Sequence, residues 1–214
     1  MSCRNIKLLS TLMAIGVVLP CNANASEKKT NDLSVKDFSV TAFYGTSAKG
    51  FEITDLSYRK GDQKLMAAAL DWTPMDVPLN FKLGLEAGLA FRDDGDTYGE
   101  GGTSQEIWFG PKIRHIGLKL GPILIKPAIT LGFSYVTDSN GLELAREIRD
   151  NGDASFIYYG GPEVGLSLKS KPNLELVGRI HHRSGAGRVS YMPTIAKMGD
   201  VNNANLIGIR YRFK

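Results

Sequence analysis

The sequence predicts an all-β fold: an eight-stranded antiparallel transmembrane β-barrel with short periplasmic turns and long external loops. Three observations lead there. Apolar and polar residues alternate with period two through most of the chain, so each strand has two unlike faces. The polar faces are rich in glycine and carry both signs of charge, as a narrow lumen requires, while the apolar faces are large and aromatic, as lipid contact requires. The connections also alternate in length. From the first strand onward they run long, short, long, short, long, short, long, which is the pattern of external loops and periplasmic turns.

The chain has 214 residues, enough for one sizeable core. Its start does not belong to that core. Arg4 and Lys7 are followed by the apolar run LLSTLMAIGVVL and the small residues Ala23-Asn24-Ala25. Residues 1–25 therefore read as a secretory signal peptide. A lipoprotein signal ending at Cys21 is the alternative, and Pro20 stands where that signal needs a small residue. Residues 26–37 follow as an N-terminal periplasmic segment, and 38–214 form the barrel. Loss of Arg4 and Lys7 lowers the formal charge from +4 to about +2. No basic stripe is present, so nucleic acid is not indicated as a partner. Both cysteines, Cys3 and Cys21, fall within the signal, which leaves no thiol for a disulfide or a nucleophile.

The predicted strands span 38–46, 64–73, 79–92, 104–114, 121–136, 154–169, 173–184 and 203–213. The third has Leu79, Phe81, Leu83, Leu85, Ala87, Leu89 and Phe91 on one face against Asn80, Lys82, Gly84, Glu86, Gly88, Ala90 and Arg92. In the fifth, Ile125, Ile129, Leu131, Phe133 and Tyr135 oppose Lys126, Thr130, Gly132 and Ser134. The sixth sets Val164, Leu166 and Leu168 against Glu163, Gly165 and Ser167, and the last sets Ile207, Ile209 and Tyr211 against Gly208, Arg210 and Arg212. The short connections are PMDVP, HIGLKL and SKPN. Leu142–Asp150 has helical composition inside a long loop, and Glu52–Arg59 reads as a further short strand inside the first one. Parity alone also fits a soluble barrel with apolar residues inside. The glycine-rich charged faces and the alternating loop lengths favour the membrane form.

The seventh strand carries GRIHHRS. Leu174, Leu176, Gly178, Ile180, His182 and Ser184 share the apolar, lipid-facing side, while Glu175, Arg179, His181 and Arg183 point into the lumen. That strand runs outward, so His182 and Ser184 lie near the external interface. A neutral imidazole can take the proton of a serine hydroxyl that attacks an ester carbonyl. Gly185 and Gly187 just beyond could bring backbone N–H groups to an oxyanion. The plainer reading is a polar strand end that anchors the headgroup level. His181 reads as a lumen hydrogen-bonding residue and His115 as a solvated residue of a periplasmic turn. No His/Asp/Glu cluster has metal-ligand spacing and no phosphate loop is present, so neither a metal nor a cofactor is implied.

RIHHRSGAGR, with NNANLIGIRYRF at the C-terminus, resembles the lipid A 3-O-deacylase (acyloxyacyl hydrolase-like) group of outer-membrane barrels, through relatives with a His-His-Arg-Ser-Gly signature. The closing IGIRYRFK resembles the outer-membrane assembly signal, with Lys214 after the aromatic Phe213. The resemblance implies a bacterial outer-membrane location and a serine esterase that removes an acyl chain from lipid A. It implies lipopolysaccharide as substrate and outer-membrane lipids as surroundings, and it leaves a homodimer open. It maps the base to His182 and the nucleophile to Ser184. The family's glutamate falls at Asn203, with Asp200 the nearest carboxylate that could replace it. Gly185 stands where the family has asparagine. The alternative function is a non-catalytic barrel with a structural or partner-binding role.

Overall fold

Alternation along the strands is satisfied by a closed wall. The computed structural model describes residues 37–48, 60–95, 101–186, 193–198 and 201–213. The strands are β1 (Phe38–Ala48), β2 (Lys60–Val77), β3 (Phe81–Asp94), β4 (Gly102–His115), β5 (Leu118–Leu120), β6 (Ile123–Val136), β7 (Phe156–Leu168), β8 (Lys171–Ser184) and β9 (Val201–Arg212). All neighbours pair antiparallel. β1 pairs with both β2 and β9, and β4 pairs with β6, so eight strands close the ring. The three-residue β5 folds back on the start of β6 inside the HIGLKL connection. Among the described residues no helix is long and apolar enough to cross a membrane; the strands are the spanning elements.

The eight predicted strands correspond to β1–β4 and β6–β9. Two of the short turns are tighter than the sequence predicts. PMDV belongs to β2, whose pairing with β3 shifts register between Trp72 and Met75, beside Pro74. The turn itself is Pro78–Asn80, where Leu79 and Asn80 both have a positive φ of 62°, and β3 starts at Phe81 rather than Leu79. SKPN reduces to Lys169 and Ser170. The helix is present as α1 (Gly141–Asp150), ending on Asn151 in the left-handed region. The predicted signal segment, the short strand at Glu52–Arg59, Gly187 and Asp200 lie outside the described residues.

The faces fall as the parity requires. Leu70, Leu85, Leu89, Phe91, Ile107, Phe109, Leu131, Ile207 and Ile209 are exposed on the outer wall. In water such a surface would be a severe liability; in hydrocarbon it is the required one. Inside, Phe43, Leu65, Trp108, Tyr159 and Val177 form a small apolar cluster. Around it lies a ladder of ion pairs in three tiers. At the periplasmic end Glu175 receives Lys126 at 2.7 Å and Arg210 at 3.3 Å, with Arg212 beside them. In the middle Lys112 reaches Asp71, Glu86 and Glu163 at 2.9, 2.8 and 2.9 Å, and Arg179 bridges Glu86 and Glu163. At the external end Glu106 and Glu143 meet Arg92, Arg183 and His181.

Charge buried this deeply is tolerated because nearly every ion has an opposite partner within hydrogen-bond reach. Trp108 shows how closely the bore is filled. Its Nε1 donates to Glu86 at 2.8 Å, its ring stands edge-on to His181 at 5.0 Å, and it lies over Gly88 of the neighbouring strand. A Cβ at Gly88 would sit 2.1 Å from the indole. At the external end a cavity of about 10 Å³ remains between Gln63, Glu106, His181 and Asn202, room for about one water.

Candidate functional site

The site is built where β8 meets β7 and β9. His182 pairs with Gly160 on one side and Asn203 on the other, and Ser184 pairs with Tyr158 and Val201. The sheet therefore sets Asn203 directly beside His182 on the same face. Their side chains meet: His182 Nδ1 donates to Asn203 Oδ1 at 2.7 Å. This bond fixes the ring's orientation and assigns proton exchange to Nε2. A lipid-facing wall rarely carries such a polar pair, and Asn205 continues it one step further along β9.

Residues of the other parity behave as lumen groups. His181 Nε2 donates to Glu106 at 2.8 Å. Arg183 donates from Nε to Ser134 at 2.9 Å, from Nη2 to the Ala154 carbonyl at 2.8 Å, and from Nη1 to Glu143. Glu143 of α1 reaches into the bore, where Arg92 Nη2 at 3.0 Å and Asn202 Nδ2 at 2.7 Å also meet it. Burial works to raise its carboxyl pKa, but Arg183 and Arg92 outweigh burial and hold it well below the usual carboxylate range. Arg183, adjacent in sequence to both His182 and Ser184, is thus the pin that fastens the β6–β7 loop over the external mouth.

Ser184 has the outward parity of His182, yet it is only 8% exposed. Beyond it the chain turns back through Ala186, at a φ of 60°, and the Ala186 N–H donates to Ser184 Oγ at 3.0 Å. Gly185 is packed against Ile195 and Met198; its carbonyl accepts the Ile195 N–H at 3.0 Å. His115 is not the solvated turn residue expected. It ends β4 buried, edge-on to Phe81 at 5.0 Å, and its Nδ1 accepts the Gly117 N–H at 3.0 Å. Among the described residues no group of three or more His, Cys, Asp or Glu side chains could hold a metal.

Two contributors were missed from sequence. Tyr158 stacks on Phe133 at 5.5 Å and donates to the Pro193 carbonyl at 3.2 Å, beside Ser184. Its position opposite Ser184 follows only from the β7–β8 register. Glu143 sits in a helix whose composition was legible, but nothing in LELAREIRD marks which acid turns inward.

No family model matches the sequence, and no curated protein matches it. Solved structures do. The outer-membrane enzyme PagL superposes with a TM-score of 0.56 at 14% identity, covering 82% of this chain and 99% of PagL. Neisserial surface protein A gives 0.46 at 13% identity over 83% and 97%. Ail of Yersinia pestis gives 0.39 at 11% identity over 83% and 99%. The chain has the eight-stranded outer-membrane barrel fold. Its apolar outer wall and ion-filled bore are those of a barrel seated in a bacterial outer membrane.

Proposed function

We propose that this protein is an outer-membrane serine esterase that removes an ester-linked acyl chain from lipid A. Ser184 is the nucleophile, His182 the base and Asn203 the residue that orients the imidazole. The observation that carries the reading is the 2.7 Å bond between His182 Nδ1 and Asn203 Oδ1, on the outer wall, two residues before a serine at the external end of β8. The resemblance of the His-His-Arg-Ser-Gly stretch to lipid A deacylases supplies the substrate class. Export by residues 1–25 belongs to the same proposal.

The chemistry follows from the tautomer. Asn203 holds the proton on Nδ1, so Nε2 presents its lone pair. Ser184 Oγ attacks the ester carbonyl as Nε2 takes its proton. The tetrahedral oxyanion collapses, the C–O bond to the sugar breaks, and the departing oxygen takes the proton back from Nε2. Water then hydrolyses the acyl-serine by the same exchange and releases the fatty acid. Asn203 orients the ring but leaves the imidazolium uncompensated, which makes this a slower catalyst than one with a carboxylate there. Placement at the interface lets the bilayer present the ester without extraction of the lipid.

The test is the mass of lipid A from outer membranes carrying the protein. Loss of one acyl unit that disappears with Ser184→Ala supports the reading, and Asn203→Glu should raise the rate, by about tenfold or more. Unchanged lipid A with a folded barrel establishes the second reading, a non-catalytic barrel. One observation favours that second reading: Ser184 is buried and its Oγ already accepts the Ala186 N–H.

A further inference from the structure

We propose that the periplasmic end of the bore is an anion-binding site in which Arg114 grips a phosphate-class oxyanion. The inference goes beyond the esterase reading and does not rest on it. It starts from the balance of buried charge. Histidines aside, the described residues bury seven cationic side chains and six carboxylates. Arg92, Lys112, Lys126, Arg179, Arg183 and Arg210 each touch at least one of those carboxylates. Arg114 is the seventh cation, and among the described residues it pairs with none of them.

Arg114 stands next to last in β4, where the strand meets the periplasm, and it has the inward parity of Lys112. It is only 6% exposed. Its Nε is buried without a hydrogen-bond partner. Its one bond to the described residues runs from Nη2 to Thr73 Oγ1 at 3.4 Å, which is long for a charged donor. A guanidinium does not escape burial by losing its proton, so this charge calls for a counter-anion.

The neighbouring carboxylates are already committed. The charges that act on Arg114 are Arg212, Glu175, Arg210 and Asp71. Glu175 is shared by Lys126 at 2.7 Å, Arg210 at 3.3 Å and Arg212. Asp71 takes Lys112 at 2.9 Å, Arg210 at 3.2 Å and the Ser39 hydroxyl at 2.8 Å. Arg114, Lys126, Arg210 and Arg212 therefore face Glu175 and a share of Asp71, and the local balance is positive. Arg212 keeps 13% of its side chain exposed, which marks the open side of this tier.

The donors select the ligand. A planar guanidinium fork matches two oxygens of one oxyanion, which a point acceptor such as chloride cannot offer. The Thr73 hydroxyl accepts from Arg114 and has its own hydrogen left to donate to a further oxygen. The same chemistry can come from free phosphate in the periplasm or from a phospholipid headgroup of the inner leaflet reaching over the rim.

The test uses the full chain folded in a phosphate-free detergent, and reads the temperature at which its folded band on a gel is lost. Inorganic phosphate, compared with chloride at matched ionic strength, should raise the parent's midpoint by about 3 °C or more, and Arg114→Gln should abolish that rise. Arg114→Lys keeps the charge without the fork and should show a clearly smaller rise, which carries the test if the glutamine variant does not fold. Without added anion, Arg114→Gln should melt at or above the parent, because it removes an unpaired buried charge. A second arm replaces phosphate with phosphatidylglycerol in the micelle. A rise with phosphate assigns a free oxyanion, and a rise with the lipid alone assigns a headgroup. No rise with either overturns the site, as does a rise of equal size in Arg114→Gln or a lower anion-free midpoint in that variant. Unchanged lipid A would overturn the esterase and leave this result standing.

Discussion

Replacing Glu143 with alanine removes an α1 side chain that takes part in the ion ladder of the bore. The carboxylate is 3% exposed and receives Arg92, Arg183 and Asn202. Breaking a buried ion pair from one side costs about 3–5 kcal/mol. Here Glu106 remains 3.6 Å from Arg92 and 3.5 Å from Arg183, so both guanidiniums keep one carboxylate. That places the loss at the lower end, about 3 kcal/mol, or about a hundredfold in the population of the undocked loop. Hydrogen exchange should show it locally. Amides of 141–152 should exchange about a hundredfold faster, while those of β3 and β8 keep their protection. Exchange of α1 unchanged from the parent would refute the latch.

The pH dependence gives a second arm to the same prediction. Docking lowers the Glu143 carboxyl below its released value of about 4.3, so its contribution is complete above that pH and is lost as pH falls toward the docked value. Corrected exchange in α1 should therefore stay flat from neutral pH to about 5, rise only in stronger acid, and lose this acid dependence in the alanine variant.

Two further predictions concern the bore. Lys112→Met strands Asp71, Glu86 and Glu163 with Arg179 and Arg210 alone, and should cost about 3–5 kcal/mol, read as a lower temperature for loss of the folded band in detergent. An unchanged midpoint would show that the arginines suffice. Gly88→Val drives a branched side chain into the Trp108 ring and strains its bond to Glu86, costing about 2–3 kcal/mol, and Trp108→Ala in the same chain should recover part of the loss. Full additivity of the two changes would contradict the contact.

The barrel was legible because each strand encodes its own two environments. Leu85, Leu89 and Phe91 against Glu86 and Arg92 specify which side meets lipid without reference to any other strand. The turns were less so. Pro74 reads as a stop, yet β2 absorbs it at a register shift, because a strand can bulge where it cannot otherwise accommodate proline. At the site, parity separated His181 from His182, and the pairing of β8 with β9 then placed Asn203 against His182. Register is set by two segments at once, so neither HHRS nor NNAN contains it alone. Ser184 illustrates the limit. Its direction follows from the strand, but its low exposure and the Ala186 N–H on its hydroxyl belong to the turn beyond β8, which no alternation announces.

The filled bore has a consequence for the cell rather than for the site. Among the described residues Trp108, Tyr159, Lys112 and the arginines occupy the axis from Glu175 to Glu143, and a gap near its external end accommodates about a single water. Packing of that kind opposes the passage of solutes between the side chains named. Activity at the rim and flank is therefore compatible with an intact permeability barrier, because the bore between those side chains is taken up by the protein itself.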